Sequence, residues 1–128
     1  ENRFNTTPLS SSVTLGGQLM GSLLDRAPDT DAILCNNDDL ALGALFECQR
    51  RGIDVPGSMG ICGFNDFEMM AAANPSITSV RTHRREIGQR AMGMLQAAIA
   101  GEREAEKIVE LGFEVMARQS TALDGAKR

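Results

Sequence analysis

The sequence predicts an α/β fold built on a mostly parallel sheet. Three observations carry this. Short apolar runs of strand length alternate with longer segments whose apolar residues recur every three or four positions. Glycine, proline or a polar cluster closes each segment. The order strand, helix, strand, helix demands crossover connections, which are right-handed in such sheets.

The first helix follows the polar run SSSVT at residues 10–14, where Ser12 or Thr14 serves as N-cap. Leu15, Leu19, Met20, Leu23, Leu24 and Ala27 then form one apolar stripe, and Pro28 ends it. Ala32 to Cys35 read as a strand buried on both faces. A helix from about Asp38 to Arg51 is capped by Asn37 or Asp38. It carries acids at its positive end and Arg50 and Arg51 at its negative end, and Gly52 stops it. Ala41, Ala44, Leu45 and Cys48 make a stripe small enough to lie flat on a sheet. Leu42 and Phe46 make a second stripe, so the helix is covered on two sides.

Residues 55–58 make a turn. Met59 to Phe64 form the next strand, with glycines that imply close backbone approach. Asp66 to Ala73 read as a short helix ended before Pro75, and Ile77 to Val80 as another strand. Arg84 to Ala100 is the longest helix, closed by Gly101. Lys107 to Met116 alternates and reads as a last strand; from about Ser120 the chain reads as a frayed tail.

A chain of 128 residues, 42% hydrophobic and 23% charged, supports one globular domain. No apolar run has membrane-spanning length and no signal peptide precedes residue 12. The start at ENRFNTT without Met is what a piece of a longer protein would show. A net charge of −4 argues against nucleic-acid binding by this piece alone. Arg81, Arg84, Arg85 and Arg90 read as a solvated helix face. Cys35, Cys48 and Cys62 are too far apart for a CxxC site and read as buried small apolar residues in a reducing compartment. His83 is the only histidine, so neither a zinc site nor a serine–histidine–acid arrangement is assembled; it reads as a surface or helix-start residue.

Two polar clusters stand where strands end: Asn36, Asn37, Asp38 and Asp39 after the first, Asn65 and Asp66 after the second. Open parallel sheets bind ligands outside the carboxyl ends of their strands. Amides and carboxylates there suit the hydroxyls of a sugar or polyol. The alternative is local structure only, with Asn37 and Asp38 capping a helix and Asn65 and Asp66 shaping a turn. A Mg²⁺-dependent phosphoryl-transfer enzyme using Asp38, Asp39 and Asp66 lacks a glycine-rich phosphate loop and a GK[ST] motif. No cofactor is called for.

The run CNNDDLALGAL, then RGIDVPGSMGICGFND, then PSITSVRTHRREIGQRAMGML resembles the C-terminal part of bacterial transcription regulators of the lactose/galactose-repressor type, over about residues 10–118. FECQRRGIDVP, SSSVT and ELGF are most similar to its gluconate-utilisation repressors. The resemblance implies a type I periplasmic-binding-protein-like fold, a parallel sheet flanked by helices, here mainly the C-terminal subdomain. It further implies a cytoplasmic repressor with a small effector between two subdomains, a homodimer, and DNA contact through a headpiece outside this chain. Residues 1–120 would form the effector-binding and dimerising part, with about 80–104 crossing to the other subdomain, where the last helix would be under-buried here. Residues 121–128 would be a tail.

Residue by residue, the resemblance places effector contacts at Asn37 and Asn65, with Asp38 and Asp66 beside them. It adds Thr82 at a crossover position, and Ser11 or Ser12 where the family has an aromatic wall. The family's effector arginine would lie before residue 1. Asn65 stands where many members carry an effector-binding Asp, and an amide there suits an anionic sugar acid such as gluconate. Dimer contacts would fall at Leu42, which with Phe46 forms the second stripe, and at Met70, Ala71, Ala72 and Ala73. An exported sugar-binding protein of the same fold is the second reading; free cysteines weigh against it, and a helix-turn-helix or a signal peptide upstream would decide.

Overall fold

Helix α1, Val13–Arg26, begins where a hydroxyl is available to cap it: the Ser12 side chain accepts from the backbone N–H of Leu15. The computed structural model describes residues 4–102 and 108–122. After α1 come β1 (Ala32–Leu34), α2 (Asp38–Arg50), β2 (Gly60–Phe64), α3 (Glu68–Ala72), β3 (Thr78–Thr82), α4 (Arg84–Ile99) and β4 (Phe113–Met116). A short 3₁₀ turn, Gln119–Thr121, follows.

The strands form one open mixed sheet in the order β1-β2-β3-β4. β1 pairs parallel with β2, Leu34 opposite Cys62; β2 pairs parallel with β3, Gly63 opposite Ser79. The α/β reading therefore holds. Met20, Leu23 and Leu24 of α1, Ala41, Ala44, Leu45 and Cys48 of α2, and Ile61, Met70 and Ile77 make the core. The small stripe of α2 lies on the sheet as its side-chain sizes require.

Helices α1 and α2 run side by side because glycine lets their backbones meet. A methyl group on Gly43 would collide with the carbonyl of Val13, and one on Gly16 with the carbonyl of Leu40. This pairs the first turns of the two helices, so both N-termini sit at the end of the sheet where β1 finishes.

Several expectations need correction. β1 is not buried on both faces: it is the edge strand, and Leu34 is 73% exposed. An open apolar cavity of about 770 Å³ runs beside it, lined by Leu19 and Leu23 of α1 and by Leu34 and Phe64. β4 starts only at Phe113, because Gly112 adopts φ +72° and breaks the alternation read across it. Lys107, at the start of that expected strand, and residues 123–128 of the expected tail lie outside the described residues. Ser120 is no frayed end. It is fully buried, accepts from the N–H of Thr78 at 2.8 Å and donates to the carbonyl of Ile61 at 2.5 Å. Those bonds stitch the last turn onto β2 and β3.

Residues 82–114 cluster as a unit separate from the rest of the chain. Within it, α4 has no buried residue, and Leu95 and Ile99 are 55% and 78% exposed. Its apolar face is uncovered, as expected. His83 occupies the cap position of α4 without a side-chain cap bond.

Candidate functional site

The polar clusters divide into groups that hold the backbone and groups left over. Asn37 has extended backbone and caps α2, its Oδ1 accepting from the N–H of Leu40 at 3.0 Å. That uses one oxygen. The amide nitrogen of Asn37 donates to no described residue, and the side chain is half-buried. Capping therefore leaves the amide nitrogen of Asn37 available.

Asp38 is different. It is completely buried, Oδ1 accepts from the Ser79 hydroxyl at 2.6 Å, and Oδ2 accepts from the N–H of Phe67 at 2.7 Å. A methyl group on Gly63 would strike Oδ1, so glycine there makes room for the carboxylate. Against the expectation of an effector contact, Asp38 is buried here with both oxygens committed to protein donors, and it braces the loop after β2 to β3.

That loop is unusual. Asn65 and Asp66 both have positive φ, +109° and +55°, a region that Asn and Asp visit more readily than bulkier residues. Adjacent left-handed residues persist only when surroundings impose them. Here the Asn65 N–H donates to the Val80 carbonyl at 2.8 Å, and the Asp66 N–H to the Ser79 hydroxyl at 3.1 Å. The Asp66 side chain is only 4% exposed. Arg81 reaches its Oδ2 through Nε at 2.8 Å and Nη2 at 2.7 Å. Arg118 Nη1 lies 2.7 Å from Oδ1, off the ideal hydrogen-bond direction, and also donates to the carbonyl of Ile77. Burial pushes the Asp66 carboxyl up, but Arg118 and Arg81 outweigh it and hold it below the usual carboxylate range. Against the same expectation, Asp66 is likewise committed to protein donors. Asn65, by contrast, is half-buried and its side chain bonds to no described residue.

The remaining expected residues lie as follows. Ser11 is exposed, and Ser12 spends its hydroxyl oxygen on α1; both stand at the end of the sheet where β1 finishes. Thr82 is the half-buried last residue of β3. Asp39, in the first turn of α2, is half-buried. With Asp38 and Asp66 both committed to protein donors, these acids do not converge on a cation, and no group of metal-ligating side chains occurs among the described residues.

On the expected dimer face, Phe46 is 46% exposed and Ala71 and Ala72 are exposed, while Leu42 and Ala73 pack partly on the core. Met70 is 0% exposed, anchors α3 in the core and is removed from that face. Cys48 is buried and Cys35 and Cys62 half-buried. Burial, then the Cys62 thiol and Asp38, push Cys35 to about 12, and burial, then Glu47, pushes Cys48 to about 11, so both stay protonated at neutral pH.

Sequence reasoning missed Ser79, Arg118 and Ser120, and it placed Arg81 on a helix face when it lies on β3. One signal was present. Thr78 and Ser79 interrupt a strand otherwise read as apolar, and polar side chains there need partners.

The carboxyl ends of β1 and β2 thus present the Asn65 side chain and the amide nitrogen of Asn37 with no described partner, beside the buried acids Asp38 and Asp66. A sheet of this build, with its polar groups at the strand ends, defines a ligand-binding α/β domain. The chain belongs to the periplasmic binding protein-like domain family, which matches residues 2–121. It is 46% identical over 115 residues to the HTH-type transcriptional regulator GntR of Pseudomonas aeruginosa, covering 90% of this chain and 34% of that protein. The crystal structure of transcription regulator GntR from Chromobacterium violaceum matches at 43% identity and TM-score 0.83, over 89% of this chain and 42% of that one. A transcriptional regulator CelR–cellobiose complex matches at 31% identity and TM-score 0.81, over 85% of this chain and 33% of that one. The resemblance to repressor-type regulators is borne out. The chain spans about a third of the length of the curated relatives it matches. Among the described residues, no helix is long and apolar enough to cross a membrane.

Proposed function

We propose that this chain is the effector-binding and dimerising part of a cytoplasmic repressor of the lactose/galactose-repressor type, with gluconate or a related sugar acid as effector. The observation that carries the reading is the Asn65 side chain and the amide nitrogen of Asn37, neither bonded to a described residue, at the ends of adjacent parallel strands. An amide offers both a donor and an acceptor to neighbouring hydroxyls. The named relatives support a regulator, and one related structure holds a disaccharide.

Asn65 and the GntR relatives favour gluconate. A carboxylate at that position would repel an acidic effector, whereas an amide does not. Residues 82–114 belong, in this reading, with the second subdomain of the whole protein, and Thr82 stands where the chain leaves. DNA is bound by a headpiece encoded upstream. The homodimer uses the face carrying Phe46, Leu42, Ala71, Ala72 and Ala73. A binding role is favoured over a catalytic one because the named relatives are transcriptional regulators, and Asp38 and Asp66 are committed to protein donors.

Regulation then works by differential affinity. Effector favours one arrangement of the subdomains and operator DNA the other, and each weakens the other's binding by the same factor. Titrating the full-length protein on operator DNA with gluconate, glucose and ribose tests this. Release by gluconate at the lowest concentration is expected. Release by the neutral sugars but not by gluconate would remove the sugar-acid reading.

A further inference from the structure

A direct ligand contact does not require what surrounds Asp66. Its carboxylate is 4% exposed, yet two guanidiniums from distant parts of the chain converge on it. Arg81 is the residue just before the 82–114 unit begins, and Arg118 comes just after the chain returns at Val115. Arg118 is itself fixed to β3, donating its backbone N–H to the Thr78 hydroxyl and its side chain to the Ile77 carbonyl. A turn needs none of this, since the Asp66 backbone N–H is already satisfied by Ser79.

We infer that Asp66 is a positioning residue that couples the loop presenting Asn65 to the two segments through which the chain leaves for residues 82–114 and returns. Arg81 grips one oxygen of this buried carboxylate through two nitrogens, a short and directional charge-assisted contact, and the Arg118 guanidinium holds the other by ion pairing at 2.7 Å. Displacement of the loop when Asn65 engages a ligand is passed to Arg81 and Arg118, and displacement of either segment is passed back. The effector half of this inference rests on the function proposed above; the clamp does not.

The test uses the full-length protein as wild type, Asp66→Asn and Arg118→Gln. Hydrogen exchange is read first, without effector. Amides at 65–67, 78–82 and 115–118 are expected to exchange at least about tenfold faster in Asp66→Asn, with α1 and α2 unchanged. Unchanged exchange in those segments overturns the inference. So does uniform acceleration through α1 and α2 in both variants, which would make the cluster a matter of global stability alone.

Operator affinity is then measured without and with saturating gluconate. The ratio of the two affinities is expected to fall at least about tenfold in Asp66→Asn and by less in Arg118→Gln, which keeps the Arg81 tie. A ratio equal to wild type overturns the coupling even when more gluconate is needed to saturate, because that is how a simple contact residue behaves. If wild-type protein ignores gluconate, the sugar-acid reading fails while hydrogen exchange still decides the clamp.

Discussion

Asn65 and Asp66 are neighbours with the same left-handed backbone and opposite fates. One side chain bonds to no described residue, while the other is buried between arginines. Residue type alone does not show this difference. Both Asp38 and Asp66 look like ligand-binding acids in sequence, but burial commits them to Ser79, Phe67, Arg81 and Arg118. The charge state of Asp66 has a pH consequence. Its folded pKa is depressed, so its contribution is present above the unfolded carboxylate value near about 4 and is lost as pH falls through the lower folded value. Urea denaturation of wild type and Asp66→Asn should therefore give a stability difference that is constant from pH 7 to 5 and shrinks below about pH 4. A difference that widens on acidification would contradict the ion-pair account.

At the scale of elements, sequence periodicity located the helices well. The stripe of α1 and the small stripe of α2 are both buried as the spacing requires. Periodicity failed where one residue or one missing neighbour outweighed it. Gly112 cut β4 short, and the edge position of β1 left an apolar run exposed. The 3₁₀ turn was illegible because a single buried hydroxyl, that of Ser120, fixes it and no repeating pattern announces such a stitch. Helix α2 also supplies the proposed dimer face. Phe46, being half-exposed, is the cleaner probe there than Leu42, which packs partly on the core. Phe46→Asp should weaken self-association of the full-length protein at least about tenfold, about 1.4 kcal/mol, with little change in Tm. An unchanged sedimentation mass at concentrations near the wild-type dimer constant would count against that face.

For the whole molecule, the fold class was legible, because the alternation of strands and helices is written in local sequence, as are the polar clusters at the strand ends where the site is proposed. The clustering of residues 82–114 as a separate unit was not legible in periodicity, since nothing in the spacing of α4 distinguishes a face left exposed from a face in the core. The claim that joins these scales is that an anionic effector is received at Asn65. Calorimetric titration of full-length wild type and Asn65→Asp with gluconate tests it most directly. The substitution keeps the shape and adds one negative charge. The account predicts binding to wild type and at least about a tenfold loss, about 1.4 kcal/mol, in Asn65→Asp. Equal affinity for the two proteins would contradict it.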